Sequence, residues 1–113
     1  MKQASVTFAN GFHVLTGDAH SQAASMVIAP GGSEGGPDNA HRGADQWLYI
    51  ESGTGEARVN GHVYPLDAGV LMLIQRGDRH EIRNTGATPL KTLNVYVPPA
   101  YTSDGDERPA GKS

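Results

Sequence analysis

The sequence predicts an all-β domain, a single antiparallel β-barrel or jelly roll, and three observations carry that expectation. Fifteen glycines and seven prolines divide its 113 residues into short segments. Those segments alternate apolar and polar residues, the period of a strand with one face buried. No stretch repeats its apolar residues at helical spacing. About eight to ten short strands in so small a chain favour closure, because closure hides edges that would otherwise pair with other molecules. The length suits one domain, with the barrel expected over residues 1–100 and a polar tail over 101–113.

The first strands are expected at Ala4 to Ala9, Phe12 to Thr16 and Ala24 to Ala29. The stretch from Pro30 to Ala40 holds too much glycine for an element and reads as a surface loop. From Gln46 to Glu51 the sequence QWLYIE puts Gln46, Leu48 and Ile50 on one face and Trp47, Tyr49 and Glu51 on the other. Gly53-Thr54-Gly55 turns the chain into Glu56 to Val59, and Asn60-Gly61 is a two-residue hairpin signal leading into His62 to Pro65. Val70 to Ile74 is a continuous apolar run, expected of a strand buried on both faces. After the turn Gln75-Arg76-Gly77-Asp78, the strand Arg79 to Asn84 points His80, Ile82 and Asn84 one way. Leu90 to Val97 then alternates Leu93, Val95 and Val97 against Thr92, Asn94 and Tyr96, and Pro98-Pro99 stops it.

Composition narrows the function classes. The chain has no cysteine, which removes disulfides, thiolate ligands and cysteine nucleophiles and fits a reducing compartment. Met1 to Asn10 is too polar for a signal peptide, and no run approaches the roughly 20 apolar residues of a membrane span. A cytoplasmic location is expected. The net charge of −3 is spread evenly, without a basic stripe, so neither nucleic acid nor a membrane surface is an expected partner. A small molecule and a second copy of the chain are. Trp47 and Tyr49, opposite Gln46, would be exposed in a single-layer barrel. Their character calls for cover by the N-terminal strands or by a second subunit, and a homodimer is expected.

His41 lies just before the strand carrying Gln46, and His80 shares a face with Ile82, so both imidazoles are expected to point into one apolar interior. Burial of two imidazoles is costly unless their nitrogens find partners. A shared divalent ion would satisfy both; so would hydrogen bonds to backbone or to Asn39, Gln46 and Asn84. Nitrogen and amide-oxygen ligands suit Fe, Mn, Co, Ni, Cu or Zn without choosing among them. Asp45 should point away from Gln46 unless the strand is bulged. Glu34 and Asp38 are weaker candidates for a carboxylate ligand. His13, His20 and His62 have no partner at ligand spacing, and Phe12, Tyr96 and Tyr101 are candidates to line the barrel mouth.

The segments NAHRGADQWLYIESG (39–53) and GVLMLIQRGDRHEIRN (69–84) resemble the two conserved motifs of the cupin superfamily. His41 falls on the second histidine of the first motif, Gln46 on its glutamate and Gly53 on its glycine. Gly69, Gly77, His80 and Asn84 fall on the second motif. Three positions depart from the pattern: Asn39 stands where the family has its first histidine, Gln46 where it has glutamate, and Gln75 where it has the turn proline. The resemblance implies a metal site at Asn39, His41, Gln46 and His80, with two imidazoles and two neutral amides in place of the usual three imidazoles and a carboxylate. It also implies a metal-dependent enzyme of dioxygenase, isomerase or lyase type acting on a small organic molecule. The alternatives are a non-catalytic small-molecule-binding or sensor protein and a structural dimer with a vestigial site.

Overall fold

Alternation of side chains becomes strand pairing throughout the computed structural model, which describes residues 1–36 and 43–102. Nine strands follow one another: β1 (Gly11–Gly17), β2 (Gln22–Ile28), β3 (Ser33–Gly35), β4 (Asp45–Ser52), β5 (Thr54–Val59), β6 (His62–Asp67), β7 (Leu71–Ile74), β8 (His80–Asn84) and β9 (Leu90–Val97). No helix occurs among the described residues. The strands form two antiparallel sheets, one ordered β1-β2-β9-β4-β7 and the other β3-β8-β5-β6. Their inner faces enclose an aliphatic core of Met26, Ile28, Leu48, Ile50, Ala57, Leu66, Ile74, Ile82 and Leu90. The all-β jelly roll expected from the sequence is the fold.

Turn chemistry explains the connections. Asn60 (φ 50°) and Gly61 (φ 83°) take the left-handed conformations that a tight two-residue hairpin needs, joining β5 to β6. Gly53 (φ 95°) lies so close to the β8–β9 turn that a Cβ there would sit 2.6 Å from the Pro89 carbonyl oxygen. Only glycine fits where β4 passes into β5.

Three expectations are corrected. Ala4 to Ala9 is not a strand: among the described residues, 1–10 are in no ladder and 3–9 make no backbone hydrogen bond. Alternation gives a segment strand character, but a ladder also requires an open edge within the segment's reach. The glycine-rich loop contains β3, whose three residues pair with β8 as Ser33↔Arg83, Glu34↔Ile82 and Gly35↔Glu81. The unpaired backbone of β8 overrides the low strand propensity of Ser-Glu-Gly. Finally, β7 is an edge strand with one open face, leaving Leu71 60% and Leu73 40% exposed.

The last strand, β9, is polar inside and apolar outside. Thr92, Asn94 and Tyr96 are buried on the inner face, while Leu93, Val95 and Val97 look outward. Its registers with β2 and β4 make this unambiguous: Asn94 lies between Ala24 and Leu48, and Tyr96 between Gln22 and Gln46.

Candidate functional site

Cross-strand neighbours on one face touch, so the registers reveal how the interior is zoned. The row Gln22, Tyr96, Gln46, Ile74 crosses one end of the larger sheet, and the row Ala24, Asn94, Leu48, Met72 follows. Towards the other end stand Met26, Thr92 and Ile50, then Ile28 and Leu90. The interior is therefore amide- and hydroxyl-lined at one end and aliphatic at the other. From the facing sheet, β8 starts at the polar end with His80 and finishes at the aliphatic end, where Asn84 Nδ2 donates to the Ile28 carbonyl at 2.8 Å.

His80 is buried at 5% exposure and its orientation is fixed from outside its own strand. Its Nδ1 lies 3.1 Å from the Asp78 carbonyl oxygen. A carbonyl only accepts, so Nδ1 carries the proton and, in the neutral ring, Nε2 carries the lone pair. The Asp78 side chain closes the turn by accepting from the Gln75 backbone N–H at 2.9 Å. It also accepts from Asn60 Nδ2 at 2.9 Å, while Asn60 Oδ1 accepts from the Arg79 N–H at 2.9 Å. The β5–β6 hairpin thus clamps the two residues that precede His80.

Gln46 is 3% exposed, and among the described residues its Oε1 has no hydrogen-bond partner. Asn94 is fully buried: its Oδ1 accepts from the Thr92 hydroxyl at 3.4 Å, while its Nδ2 has no partner among the described residues. An acceptor and a donor left unsatisfied in the same part of an interior each carry a desolvation cost of about 1–3 kcal/mol. Such costs recur where a ligand, ion or water completes the bonding.

The mouth at this end is closed by aromatic rings. Tyr101 packs on Phe12 (centroids 4.6 Å apart) and on Tyr96 (5.1 Å). The Gln22 side-chain amide holds Tyr101 like a strand partner, donating to its carbonyl at 2.7 Å and accepting from its N–H at 3.1 Å. Burial pushes the Tyr96 hydroxyl well above the ordinary tyrosine value, and Tyr101 and the carboxylate of Glu34 push it the same way. Tyr96 is therefore a neutral hydroxyl near neutral pH. Glu34, directly opposite inward-facing Ile82, shares the inner face of the smaller sheet, which brings a carboxylate to this mouth.

Of the four residues expected to hold a metal, Gln46 and His80 take their places on inner faces at the polar end, while Asn39 and His41 lie outside the described residues, as does Asp38. Among the described residues no three histidine or carboxylate side chains gather at one point. Asn84 is not part of the centre: its Nδ2 also donates to the Thr88 carbonyl and its Oδ1 accepts from the Gly86 N–H. Asp45 points outward as expected and is held by Arg76, whose backbone N–H (2.8 Å) and guanidinium (3.2 Å) both donate to it. His13, His20 and His62 are exposed. Gln22 and Asn94 escaped the sequence reading, Gln22 because its strand starts two residues early and Asn94 because it sits on the polar face of β9. Their signal is the polar triplet Thr92, Asn94, Tyr96 beside an equally regular apolar one.

The Arg76 guanidinium bound to Asp45 lowers that carboxyl below its ordinary value. A depressed carboxyl contributes stability above its unfolded value, near 3.8, and loses it as pH falls through the folded one. Asp45→Asn is accordingly expected to lower the melting temperature slightly near neutral pH. The difference from the parent protein should fade as pH falls through the depressed folded value; thermal melts across acid pH check this, and a constant offset would contradict it.

The two-sheet jelly roll is the fold of the cupins, and the chain belongs to that family. The family model for the cupin domain matches residues 24–96. An oxalate-binding protein of Thermotoga maritima is 36% identical over 89 residues, covering 75% of this chain and 72% of that one. The tetracenomycin polyketide synthase protein TcmJ of Streptomyces glaucescens is 33% identical over 73 residues, 65% of this chain and 48% of its own length. Among solved structures, a predicted oxalate decarboxylase from Thermotoga maritima superposes with a TM-score of 0.70 at 30% identity, covering 78% of this chain and 79% of that one. A protein from Bacillus halodurans gives 0.72 at 26% identity, over 88% and 76%. No helix among the described residues is long and apolar enough to cross a membrane.

Proposed function

We propose that the polar end of this barrel binds a small organic acid beside one divalent transition-metal ion. The observation that carries the reading is the unpartnered pair Gln46 Oε1 and Asn94 Nδ2, set at the end of the barrel where His80 opens β8. These atoms fit such a centre: an imidazole Nε2 and an amide oxygen are donor atoms for a borderline divalent ion. His80 and Gln46 would hold it, joined by His41 and Asn39. When bound, the ion would supply a Lewis acid for a carboxylate oxygen. The chain's own residues do the rest. Asn94 Nδ2 donates to the acid, neutral Tyr96 adds a polar wall without charge, and Phe12 and Tyr101 exclude water. Similarity to an oxalate-binding protein supports a short carboxylic acid as the ligand class. The cysteine-free composition suits a reducing compartment, and the cytoplasm is the location that accompanies this reading.

A second reading, a metal-dependent enzyme of dioxygenase, isomerase or lyase type, is favoured by Glu34. That carboxylate stands at the mouth near Tyr96 and supplies the proton acceptor that Gln46, as an amide, does not.

The test is metal content with calorimetric titration of oxalate. About one first-row ion per chain, with oxalate binding that a chelator removes, is expected. Metal-free, folded protein whose melting temperature ignores added ions, and which binds no acid, would overturn the proposal. Gln46→Glu restores a negative charge at the ion and is expected to tighten metal binding about tenfold or more. Chelator competition measures this, and an unchanged affinity would place Gln46 outside the coordination shell.

A further inference from the structure

The outward face of the smaller sheet carries charges that its ion pairs leave unbalanced. On β8 the alternation that sends His80 and Ile82 inward sends Arg79, Glu81 and Arg83 outward, and on β5 it sends out Glu56 and Arg58. The register sets Arg58 opposite Glu81 and Glu56 opposite Arg83. Both carboxylates are occupied: Glu56 accepts from the Arg58 guanidinium at 3.2 Å, and Glu81 accepts from Arg83 Nε at 2.6 Å. Arg79 is the exception. Across from it stands the Asn60-Gly61 turn instead of a carboxylate, and among the described residues its guanidinium has no ion-pair partner. Asn60 holds its backbone: the Asn60 N–H donates to the Arg79 carbonyl at 2.8 Å, and Asn60 Oδ1 accepts from the Arg79 N–H at 2.9 Å. The root of the side chain is fixed while its charged end is exposed. Beside it lies a groove of about 400 Å³, lined by Arg58, Arg79 and Arg83, by the single carboxylate of Glu81, and by Val63.

We propose that this groove binds the phosphoryl group of a small phosphate monoester. Charge, shape and size agree. Three guanidinium groups against one carboxylate leave an excess of positive charge that suits a dianion. Glu81 is 8% exposed and its charge is committed to Arg83, so it orients that guanidinium instead of facing the ligand. A planar guanidinium fork matches two phosphate oxygens at once. The groove falls within the roughly 300–1,000 Å³ of small-molecule sites and has room for more than a phosphate ion. Val63, 55% exposed, offers the organic remainder an apolar contact. A nucleic-acid backbone suits the groove less well, because the chain's net charge of −3 repels a polyanion and three arginines on one sheet face make no extended basic stripe. The site is separate from the barrel interior. Adjacent residues of β8 point to opposite faces, so His80 and Arg79 share a strand and not an occupant.

The experiment is a titration of the full-length protein followed by backbone amide NMR shifts, at low salt and about pH 8, where a phosphate monoester is a dianion. A chelator is present throughout, so that no metal ion in the interior binds the anion. Inorganic phosphate and glycerol 2-phosphate are expected to give saturable shifts at residues 58–63 and 79–83, with a dissociation constant of about 1 mM or below. Arg79→Gln, at an exposed position without an ion pair, is expected to raise that constant about tenfold with the fold intact. Arg58→Gln is expected to raise it about threefold or more. Lys91→Gln removes the same charge from the other sheet and should leave it unchanged. Acetate, with a single charge, is expected to bind about tenfold more weakly than phosphate. Shifts that do not saturate by about 20 mM phosphate, or that centre elsewhere, overturn the proposal. So does an affinity indifferent to Arg79→Gln, or acetate binding as tightly as phosphate. A single-stranded oligonucleotide that binds more tightly per phosphate than glycerol 2-phosphate would overturn the assignment to a small molecule.

Discussion

Replacing His80 with alanine is expected to lower retention of a divalent first-row ion by about a hundredfold or more, at or above the top of the range typical of an outer-shell change. The ring occupies a strand start at 5% exposure, with Nδ1 committed to the Asp78 carbonyl, which makes Nε2 the lone-pair nitrogen of the neutral ring. Alanine removes that donor while leaving the Asp78 turn intact, so the barrel should still fold. Metal content after desalting, with His80→Gln as a shape-preserving control, measures the effect. Asp78→Ala should fall between the parent and His80→Ala. It keeps the carbonyl that orients the ring and removes the carboxylate that braces the turn against Gln75 and Asn60. Full metal retention in His80→Ala would remove the imidazole from the site.

The largest loss of stability is expected at Asn84. Its side chain makes three hydrogen bonds of 2.8–2.9 Å, to the Ile28 carbonyl, the Thr88 carbonyl and the Gly86 N–H. It is 3% exposed, so alanine would strand two acceptors and a donor where water reaches poorly. At about 1–3 kcal/mol for each group left unsatisfied, and with partial relief from solvent at the turn, a loss of about 2–4 kcal/mol is expected. For a domain of this size that lowers the melting temperature by roughly 10–20 °C. Metal binding per folded molecule should be unchanged, because Asn84 stands at the aliphatic end of the interior. A loss under about 0.5 kcal/mol, the ordinary range for surface substitutions, would contradict the role assigned to it.

Much of this architecture was legible because strand period and turn chemistry are local. Asn60-Gly61 announced its hairpin, and QWLYIE announced which face of β4 is buried. The two motifs pointed to the inward placement of Gln46 and His80 before any coordinate. What escaped was set by distant partners. The β3 strand exists because β8 has an open edge, which Ser-Glu-Gly does not encode. Residues 4–9 have strand character but join no ladder, so propensity alone misplaces them. The apolar run of β7 reads as doubly buried, and the chain buries only one side of it. In β9 both alternating rows are regular, and local pattern gives no reason to choose the polar one for the interior. That choice concealed Asn94, and with it half of the unsatisfied pair on which the functional reading rests.

Crystals grown with a first-row metal salt and oxalate, scanned at the metal's absorption edge, test the central claim most directly. The account predicts a single anomalous peak at about 2.0–2.2 Å from His80 Nε2, with Gln46 turned to it and an acid within reach of Asn94 Nδ2. An interior holding only water, or an ion seated instead on His13, His20 or His62, would contradict it.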